Sequence, residues 1–229
     1  MVRIKICGVT TVDDALFAAK CGVEAVGLNF YSLSPRCISI SQAGEIYREL
    51  PPQTCTVGVF VDKTIDSVRL TARTVHLHGI QTYDLPAEAD FVPWMYIPAF
   101  RVKSTADLDR IQSYVKRAVA HKHTLSAVLI DSFVPGEMGG TGHKAPWELL
   151  AGFDPGVPVI LAGGLTPENV ADAIRLVRPW GVDVASGVES SPGKKDLGKM
   201  KAFVQAVRSV AVESASTSDL FGCGLHDPF

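Results

Sequence analysis

Apolar residues along the chain form short continuous runs that alternate with segments of helical periodicity. Eight runs predict buried β-strands, at 3–7, 24–30, 55–61, 74–78, 94–100, 126–131, 157–162 and 182–186. Between them, apolar residues repeat every three to four positions and predict helices at 12–21, 41–50, 64–73, 104–120, 167–177 and 195–212. Strands without a polar face that are separated by helices are typical of parallel α/β proteins.

The number of units decides between two parallel architectures. An open doubly wound sheet is the alternative, but eight strand–helix units in roughly 210 residues fit a closed (β/α)8 TIM barrel better. Two units are irregular, because 78–91 leaves little room for a fourth helix and 143–153 offers about two turns for a sixth. We predict one barrel over residues 1–212 and an irregular C-terminal tail over 213–229, where the periodicity is lost.

Threonine marks the predicted start of two helices. Thr10 or Thr11 is followed by acidic residues, which the helix dipole favours in a first turn, and Thr166 is followed by Pro167 at the first helical position. These signals predict helix N-caps directly after the first and seventh strands.

Composition and charge exclude several classes of partner. The chain is 47% hydrophobic, with a formal net charge of −2 and a pI of about 6.3, so no strong field attracts nucleic acid or an anionic membrane. The strand pattern follows Met1 directly without a signal-peptide pattern, and no apolar run reaches the ~18 residues of a transmembrane helix. We expect a cytoplasmic protein without nucleic-acid or membrane partners.

The cysteines and histidines do not form a metal-binding pattern. Five cysteines, widely spaced and without CxxC pairs, argue against a disulfide framework or a structural zinc site and predict reduced thiols. His76 and His78 alternate with apolar residues and would share one side of the predicted fourth strand. Paired histidines could bind a metal, but no third ligand is near in sequence, so we favour a structural or lining role.

Active sites of such barrels form at the carboxyl ends of the strands, so residues that close the apolar runs are the candidates. They are Cys7, Arg36 in the loop after the second run, His78, Asp131, the pair Gly163 and Gly164, and the pair Ser186 and Gly187.

Local sequence leaves two interpretations for most of these candidates. Cys7 alone would suit a small buried hydrophobic residue. Asp131 suits either a loop-closing residue or an acid or base whose pKa burial would raise towards the working range. The glycine-rich stretch 136–142 suits either a loop that folds over a ligand or a flexible connector.

Anion binding is the functional interpretation of two further stretches. Gly163, Gly164 and Gly187 would let backbone amides approach a phosphate at helix N-termini, with tight turns as the alternative. The planar guanidinium of Arg36 would suit a substrate carboxylate, although surface arginines are common.

Taken together, these stretches resemble the phosphoribosylanthranilate isomerase family of tryptophan biosynthesis. The resemblance rests on "KICGVT", "SPR", "VGVFVD", "HLHG", "GGTG", "LAGGLTPENV" and "VDVASGVESSPGKKD", in the family's order over roughly residues 3–208. It implies a (β/α)8 barrel that performs an Amadori rearrangement of N-(5-phosphoribosyl)anthranilate without a metal or organic cofactor. The implied partner is a small phosphorylated substrate, and the chain is expected to be a monomer or a homodimer.

The resemblance also implies roles for individual residues. Cys7 falls on the family's general base and Asp131 on its general acid, while Arg36 falls on the arginine that holds the anthranilate carboxylate. The implied phosphate site consists of Gly163, Gly164, Ser186 and Gly187. A thiol base needs its pKa lowered from about 8.5, which a neighbouring cation or amide dipoles would provide.

The chain departs from the family's usual pattern at four places, and none of them removes a proposed catalytic group. His76 stands where glutamine usually precedes the "LHG" element, and 143–147 lacks the usual Phe-Asp-Trp pattern. Cys37 replaces an aromatic residue and Ala185 a serine. These departures affect the expected pocket lining near strands four and six.

Two other functions compete with this interpretation. The related isomerase of histidine biosynthesis, or a dual-substrate version, has an aspartate at the end of strand one, so Cys7 argues against both. A catalytically silent barrel that binds a phosphorylated sugar is the alternative outside enzymes, and the presence of Cys7, Asp131 and Arg36 together argues against it.

Overall fold

The computed structural model describes residues 1–83, 85–87, 89–131 and 147–210. Its strands are β1 (Arg3–Cys7), β2 (Ala25–Asn29), β3 (Cys55–Phe60), β4 (Gly79–Tyr83), β5 (Met95–Arg101), β6 (Val128–Asp131), β7 (Val159–Ala162), β8 (Gly181–Val184), β9 (Glu189–Ser191) and β10 (Lys194–Lys195). Its helices are α1 (Val12–Lys20), α2 (Ile40–Glu49), α3 (Ile65–Val75), α4 (Thr105–Ala120), α5 (Trp147–Leu150), α6 (Val170–Val177) and α7 (Leu197–Arg208). The predicted tail 213–229 and the glycine-rich stretch 136–142 lie outside the described residues.

The first eight strands form the predicted closed barrel. They pair in parallel in chain order, and β8 pairs back with β1, so the open sheet is excluded. Lys5 of β1 lies opposite Asp183 of β8 in this pairing. After β8 the chain forms one turn of 3-10 helix over Ser186–Val188 and then the β9–β10 hairpin.

The prediction of a strand over 74–78 is wrong. Helix α3 continues to Val75 and ends at His76, which adopts the left-handed conformation with φ 60°. Val75 and Leu77 are both buried, which produced a strand-like alternation in a helix end and the loop after it. Because β4 begins only at Gly79, His78 lies at the amino end of this strand.

The helix starts agree with the sequence at α1 and differ at α6. Thr11 caps α1, because its hydroxyl accepts a hydrogen bond from the Asp14 amide at 3.2 Å. Helix α6 begins at Val170 with Asn169 as its N-cap, three residues later than predicted. The Asn169 side chain accepts from the Thr166 amide at 2.8 Å and closes a turn ahead of the helix.

Alternation along β1 explains how polar groups enter the barrel. Ile4 and Ile6 belong to the large apolar core that packs against the helices, so Lys5 and Cys7 occupy the other, inner face of the strand. A smaller apolar cluster containing Val57, Ile97 and Leu129 is separate from that core. Within the described ranges, no helix is long and apolar enough to cross a membrane.

The prediction of reduced thiols holds for three cysteines and fails for one. Cys7, Cys21 and Cys37 are free thiols. Cys55 is disulfide-bonded, which corrects the prediction for that residue. An odd number of widely spaced cysteines excludes complete pairing but is compatible with a single bridge.

Candidate active site

Parallel pairing brings the carboxyl ends of strands β1–β8 to one mouth of the barrel. Cys7 ends β1, Tyr83 ends β4, Arg101 ends β5 and Asp131 ends β6. The two predicted acid–base residues, Cys7 and Asp131, therefore lie at the same mouth, with β7 and β8 between their strands.

The Cys7 thiol is buried among charged groups. Its residue is 9% exposed. Burial raises the pKa of the thiol and the Asp183 carboxylate raises it further, whereas the ammonium groups of Lys5 and Lys195 lower it. The net direction is upwards, so the predicted lowering of the Cys7 pKa is wrong for the free protein. The neighbouring cations expected from the sequence are present, but burial outweighs them.

Lys5 and Asp183 form a buried ion pair directly below the thiol. Lys5 Nζ donates to Asp183 Oδ1 at 2.8 Å, and their side chains are 1% and 9% exposed. Burial by itself would lower the pKa of Lys5, but Asp183 and Cys7 raise it above its usual value. Lys5 therefore remains an ammonium ion inside the barrel.

Lys195 ties the ends of β1 and β8 together. Its side chain is fully buried, and Nζ donates to the carbonyl oxygens of Cys7 at 2.6 Å and Ala185 at 3.1 Å. The third donor is directed to Glu189 Oε1 at 2.8 Å. All three N–H groups of the ammonium are thus occupied.

Arg36 reaches the rim of the site and is held by Glu189. Its Nε and Nη2 donate to the two carboxylate oxygens of Glu189 at 2.8 and 2.7 Å, a bidentate geometry. Glu189 is 4% exposed, and although burial favours its neutral form, Arg36 and Lys195 hold its pKa below the usual range. Two cations share this one carboxylate, so the cluster carries one net positive charge beside the mouth.

Glycine at position 8 makes room for the Arg36 side chain. Gly8 has φ 71°, and a Cβ at this position would lie 2.4 Å from Arg36 Cδ. Both the left-handed backbone and this close approach require glycine. Gly8 of the "CGVT" stretch therefore leaves the space that the Arg36 side chain occupies.

Asp131 and Tyr83 form the opposite side of the mouth. Asp131 is half-buried, and it pairs in register with Arg101, whose guanidinium lies 5.5 Å from the Tyr83 ring centre. Burial raises the pKa of Tyr83, and the carboxylate of Asp131 adds to the rise. The Tyr83 phenol is therefore neutral and close to the predicted acid.

Sequence reasoning assigned the end of the fourth strand to His78 and so missed Tyr83. His78 lies at the amino end of β4, where its Nδ1 accepts a hydrogen bond from the Thr56 amide at 3.0 Å. His76 stacks on Tyr47 at 5.6 Å between ring centres. Both histidines have structural contacts, in agreement with the structural role favoured for them, but the placement of His78 at the carboxyl end of a strand is wrong. The helical periodicity that continues to Val75 was the usable signal, because it moves the fourth strand to the residues after His78 and its carboxyl end to Tyr83.

The loops after β7 and β8 are in direct backbone contact. Gly163 and Gly164 have φ values of 90° and 63°, which favour glycine. A Cβ on Gly187 would lie 1.9 Å from the Leu165 carbonyl oxygen. The turn beginning at Ser186 is therefore pressed against the turn beginning at Gly163, as a shared anion site would require.

Lys5, Asp183, Glu189 and Lys195 were also missed from the sequence. A lysine two residues before Cys7 in a strand with alternate apolar residues was a usable signal for an inward charge. Its partner could not be found locally, because Asp183 lies 178 residues further along the chain.

The described residues contain no cluster of three or more His, Cys, Asp or Glu side chains that could hold a metal ion. The mouth instead offers a thiol, a carboxylate, a phenol and several fixed cations. Such groups can transfer protons to and from a bound anion.

Comparison with known proteins gives one consistent family. A sequence model described as "N-(5'phosphoribosyl)anthranilate (PRA) isomerase" matches residues 4–206. A relative of that name from Myxococcus xanthus is 44% identical over 214 residues, which are 91% of this chain and 97% of the relative. One from Neisseria gonorrhoeae is 42% identical over 205 residues, covering 89% and 95%.

Solved structures agree with the sequence relatives. The phosphoribosyl anthranilate isomerase of Thermotoga maritima superimposes with a TM-score of 0.79 at 38% identity, covering 91% of this chain and 99% of that one. A structure of the enzyme with reduced 1-(o-carboxyphenylamino)-1-deoxyribulose 5-phosphate has a TM-score of 0.77 at 36% identity, with the same coverage.

Proposed function

The chain belongs to the N-(5′-phosphoribosyl)anthranilate isomerase family, and we propose that Cys7 and Asp131 carry out its reaction as general base and general acid. The reaction is the Amadori rearrangement of N-(5-phosphoribosyl)anthranilate to 1-(2-carboxyphenylamino)-1-deoxyribulose 5-phosphate in tryptophan biosynthesis. The observation that carries the assignment of roles is the position of Cys7 and Asp131 at one barrel mouth.

Asp131 performs the first proton transfer. It donates a proton to the furanose ring oxygen, the bond between that oxygen and C1′ breaks, and the nitrogen lone pair forms a C=N bond to C1′. The product is an open-chain iminium ion. The half-buried position of Asp131 at the barrel mouth supports this role, because a carboxyl group there can reach a bound substrate.

Cys7 performs the second proton transfer. Its thiolate takes the proton from C2′, the C–H electrons form the C1′=C2′ bond, and the iminium nitrogen becomes neutral. The resulting enolamine tautomerises to the ketone. The iminium cation favours a thiolate next to it, which offsets the rise in the Cys7 pKa that burial causes in the free protein.

Arg36 binds the anthranilate carboxylate. Glu189 engages Nε and one N–H group of Nη2, so both N–H groups of Nη1 and the second one of Nη2 remain for substrate oxygens. The net positive charge shared by Arg36, Glu189 and Lys195 supports binding of an anion despite this internal pairing. Glu189 fixes the plane of the guanidinium and so its orientation.

The substrate phosphate binds between the loops after β7 and β8. Gly163, Gly164, Ser186 and Gly187 form this cradle, where exposed backbone amides serve as donors. The close contact between Gly187 and Leu165 supports a single rigid site formed by both loops. Barrels of this kind commonly hold phosphate at this position.

Loss of anthranilate-type fluorescence after addition of freshly made phosphoribosylanthranilate tests the catalytic roles. We expect turnover by the native protein and a fall in kcat of at least about 100-fold in Cys7→Ser and in Asp131→Asn, because one proton transfer is lost in each. Matched controls are Cys21→Ser, a second free thiol, and Asp172→Asn, an exposed carboxylate on α6, which should keep the native rate.

Full activity in either catalytic variant would refute the role given to that residue. A native protein that binds a product analogue tightly without turning over substrate would instead be a silent barrel.

The expected assembly and location belong to the same proposal. A relative from Thermotoga maritima is described as dimeric, and this chain is proposed to be a monomer or a homodimer that works in the cytoplasm without nucleic acid. Sedimentation equilibrium distinguishes the two assembly states.

A further inference from the structure

A buried ammonium group lies next to the Cys7 thiol. Lys5 is 1% exposed, and its Nζ donates to Asp183 Oδ1 at 2.8 Å while lying close to the Cys7 side chain, whose sulfur it approaches beside Gly27. Gly27 of the neighbouring strand leaves the space for this arrangement. A Cβ on Gly27 would lie 2.8 Å from Cys7 Sγ and 3.0 Å from Lys5 Nζ.

Burial of an ammonium ion is costly unless it is paired, so a lysine at this depth needs a reason. An apolar residue would fill the same space in the inner layer of the barrel. The pair with Asp183 neutralises the charge but does not explain why both charges lie beneath the thiol. The contact with Cys7 gives the pair a chemical use.

The other cations near the thiol direct their hydrogen bonds to other groups. Among the described residues, the ionisable groups that act on Cys7 include Lys5 on β1, Asp183 on β8, Lys195 on β10, Arg36 after β2 and Tyr83 on β4. Lys195 uses all three of its N–H groups on two carbonyls and Glu189. Arg36 directs Nε and Nη2 to Glu189.

We propose that Lys5 is a positioning residue for the isomerase reaction, because its ammonium group lies close to the sulfur and its positive charge stabilises the thiolate of Cys7, while Asp183 holds that ammonium group in place beneath the sulfur. This inference rests on the proposed role of Cys7 as the base. Cys7 loses its thiol proton to solvent before the reaction, and its thiolate then takes the C2′ proton as an S–H bond forms. Lys5 keeps its own protons throughout.

Removing Lys5 and removing Asp183 have opposite effects on the pKa of the Cys7 thiol. In Lys5→Met the pKa of Cys7 rises, because burial and Asp183 both act against the thiolate without the cation. In Asp183→Asn the pKa of Cys7 falls, because the Lys5 ammonium stays and the competing negative charge is gone. While the thiol is mostly protonated at neutral pH, raising its pKa by about one lowers the thiolate fraction roughly ten-fold.

The experiment measures thiolate formation directly. The ultraviolet absorbance of the thiolate is titrated in each protein, and the titration of the same protein carrying Cys7→Ser is subtracted. The acid limb of kcat/KM against pH is measured in parallel with phosphoribosylanthranilate. Lys201→Met, an exposed lysine on α7, is the matched control and should leave both curves native.

We expect Lys5→Met to move both curves to higher pH and to lower kcat/KM at pH 7 at least about ten-fold. Lys5→Met leaves the buried Asp183 carboxylate unpaired, so Lys5→Met/Asp183→Asn provides a version in which neither of these two positions carries a charge. It should regain stability but not the native thiolate curve, because no cation is restored.

A thiolate curve that is unchanged in both Lys5 variants would overturn the inference, as would a rise in the Cys7 pKa in Asp183→Asn. These results differ from failure of the proposed function, in which Cys7→Ser itself would remain active.

Discussion

Gly187→Ala is the perturbation whose size can be worked out most directly. A Cβ at this position would lie 1.9 Å from the Leu165 carbonyl oxygen and 3.0 Å from the Leu165 carbonyl carbon. Both contacts are with backbone, so no side-chain rotation relieves them. Contacts under 3.0 Å essentially never occur for real Cβ atoms, and the two loops must therefore separate by about 1 Å.

A separation of this size affects binding more than folding. Overpacking of this kind costs about 1–3 kcal/mol, which a folded barrel of this length can tolerate. A misplacement of about 1 Å in a binding site can lower kcat/KM by about 100-fold. We expect the loss to appear mainly as a raised KM, because the phosphate is held in the ground state and the transition state alike.

The assay measures KM for phosphoribosylanthranilate, inhibition by inorganic phosphate and thermal unfolding in the same preparations. Gly44→Ala is the matched control, because Gly44 lies inside α2 and its Cβ would meet nothing within 4 Å. That variant should keep the native KM and gain about 0.5–1 kcal/mol in the free energy of unfolding. A folded Gly187→Ala protein with native KM and native phosphate inhibition would refute a phosphate site shared by the two loops.

Three further predictions concern the ionisable groups at the barrel mouth: the Cys7 thiol, the Glu189 carboxylate and the Tyr83 phenol. Gly27→Ala places a methyl group 2.8 Å from Cys7 Sγ, so kcat measured by fluorescence should fall at least about ten-fold, and a native kcat would show that the sulfur is free to move. The pKa of Glu189 is lowered in the folded state, so its contribution to stability is present at neutral pH and is lost as the pH falls below about 4.3. The free energies of unfolding in urea of the native and Glu189→Gln proteins should therefore differ at pH 7 and converge in acid. A difference that stays constant with pH would contradict this. Burial and Asp131 raise the pKa of Tyr83, so the phenolate absorbance of native protein minus that of Tyr83→Phe should show no ionisation over about pH 9–11, where an ordinary tyrosine would titrate.

The barrel could be predicted because its strands are short, mainly apolar runs and its helices are apolar on one face. That pattern located seven of the eight strands to within about three residues, a margin typical of element boundaries. It failed at the fourth, because buried Val75 and Leu77 alternate with polar residues where a helix ends at a left-handed His76. Alternation over so few residues does not distinguish a strand from a helix end.

The site could be predicted only in part, for a related reason. Cys7, Asp131 and Arg36 stand at recognisable ends of elements, so the sequence and the family resemblance locate them. The ion pair of Lys5 with Asp183 depends on how the barrel closes, since the two residues meet only when β8 pairs with β1. No local pattern carries that information.

The most direct test of the proposed mechanism is selective modification of Cys7. Methyl methanethiosulfonate adds an S-methylthio group to thiols, and peptide mass spectrometry follows the modified fraction of Cys7 separately from that of the free thiols Cys21 and Cys37. We predict that residual turnover equals the unmodified fraction of Cys7, and that a bound product analogue slows both losses equally. Full turnover by protein in which Cys7 is completely modified would contradict its role as the base.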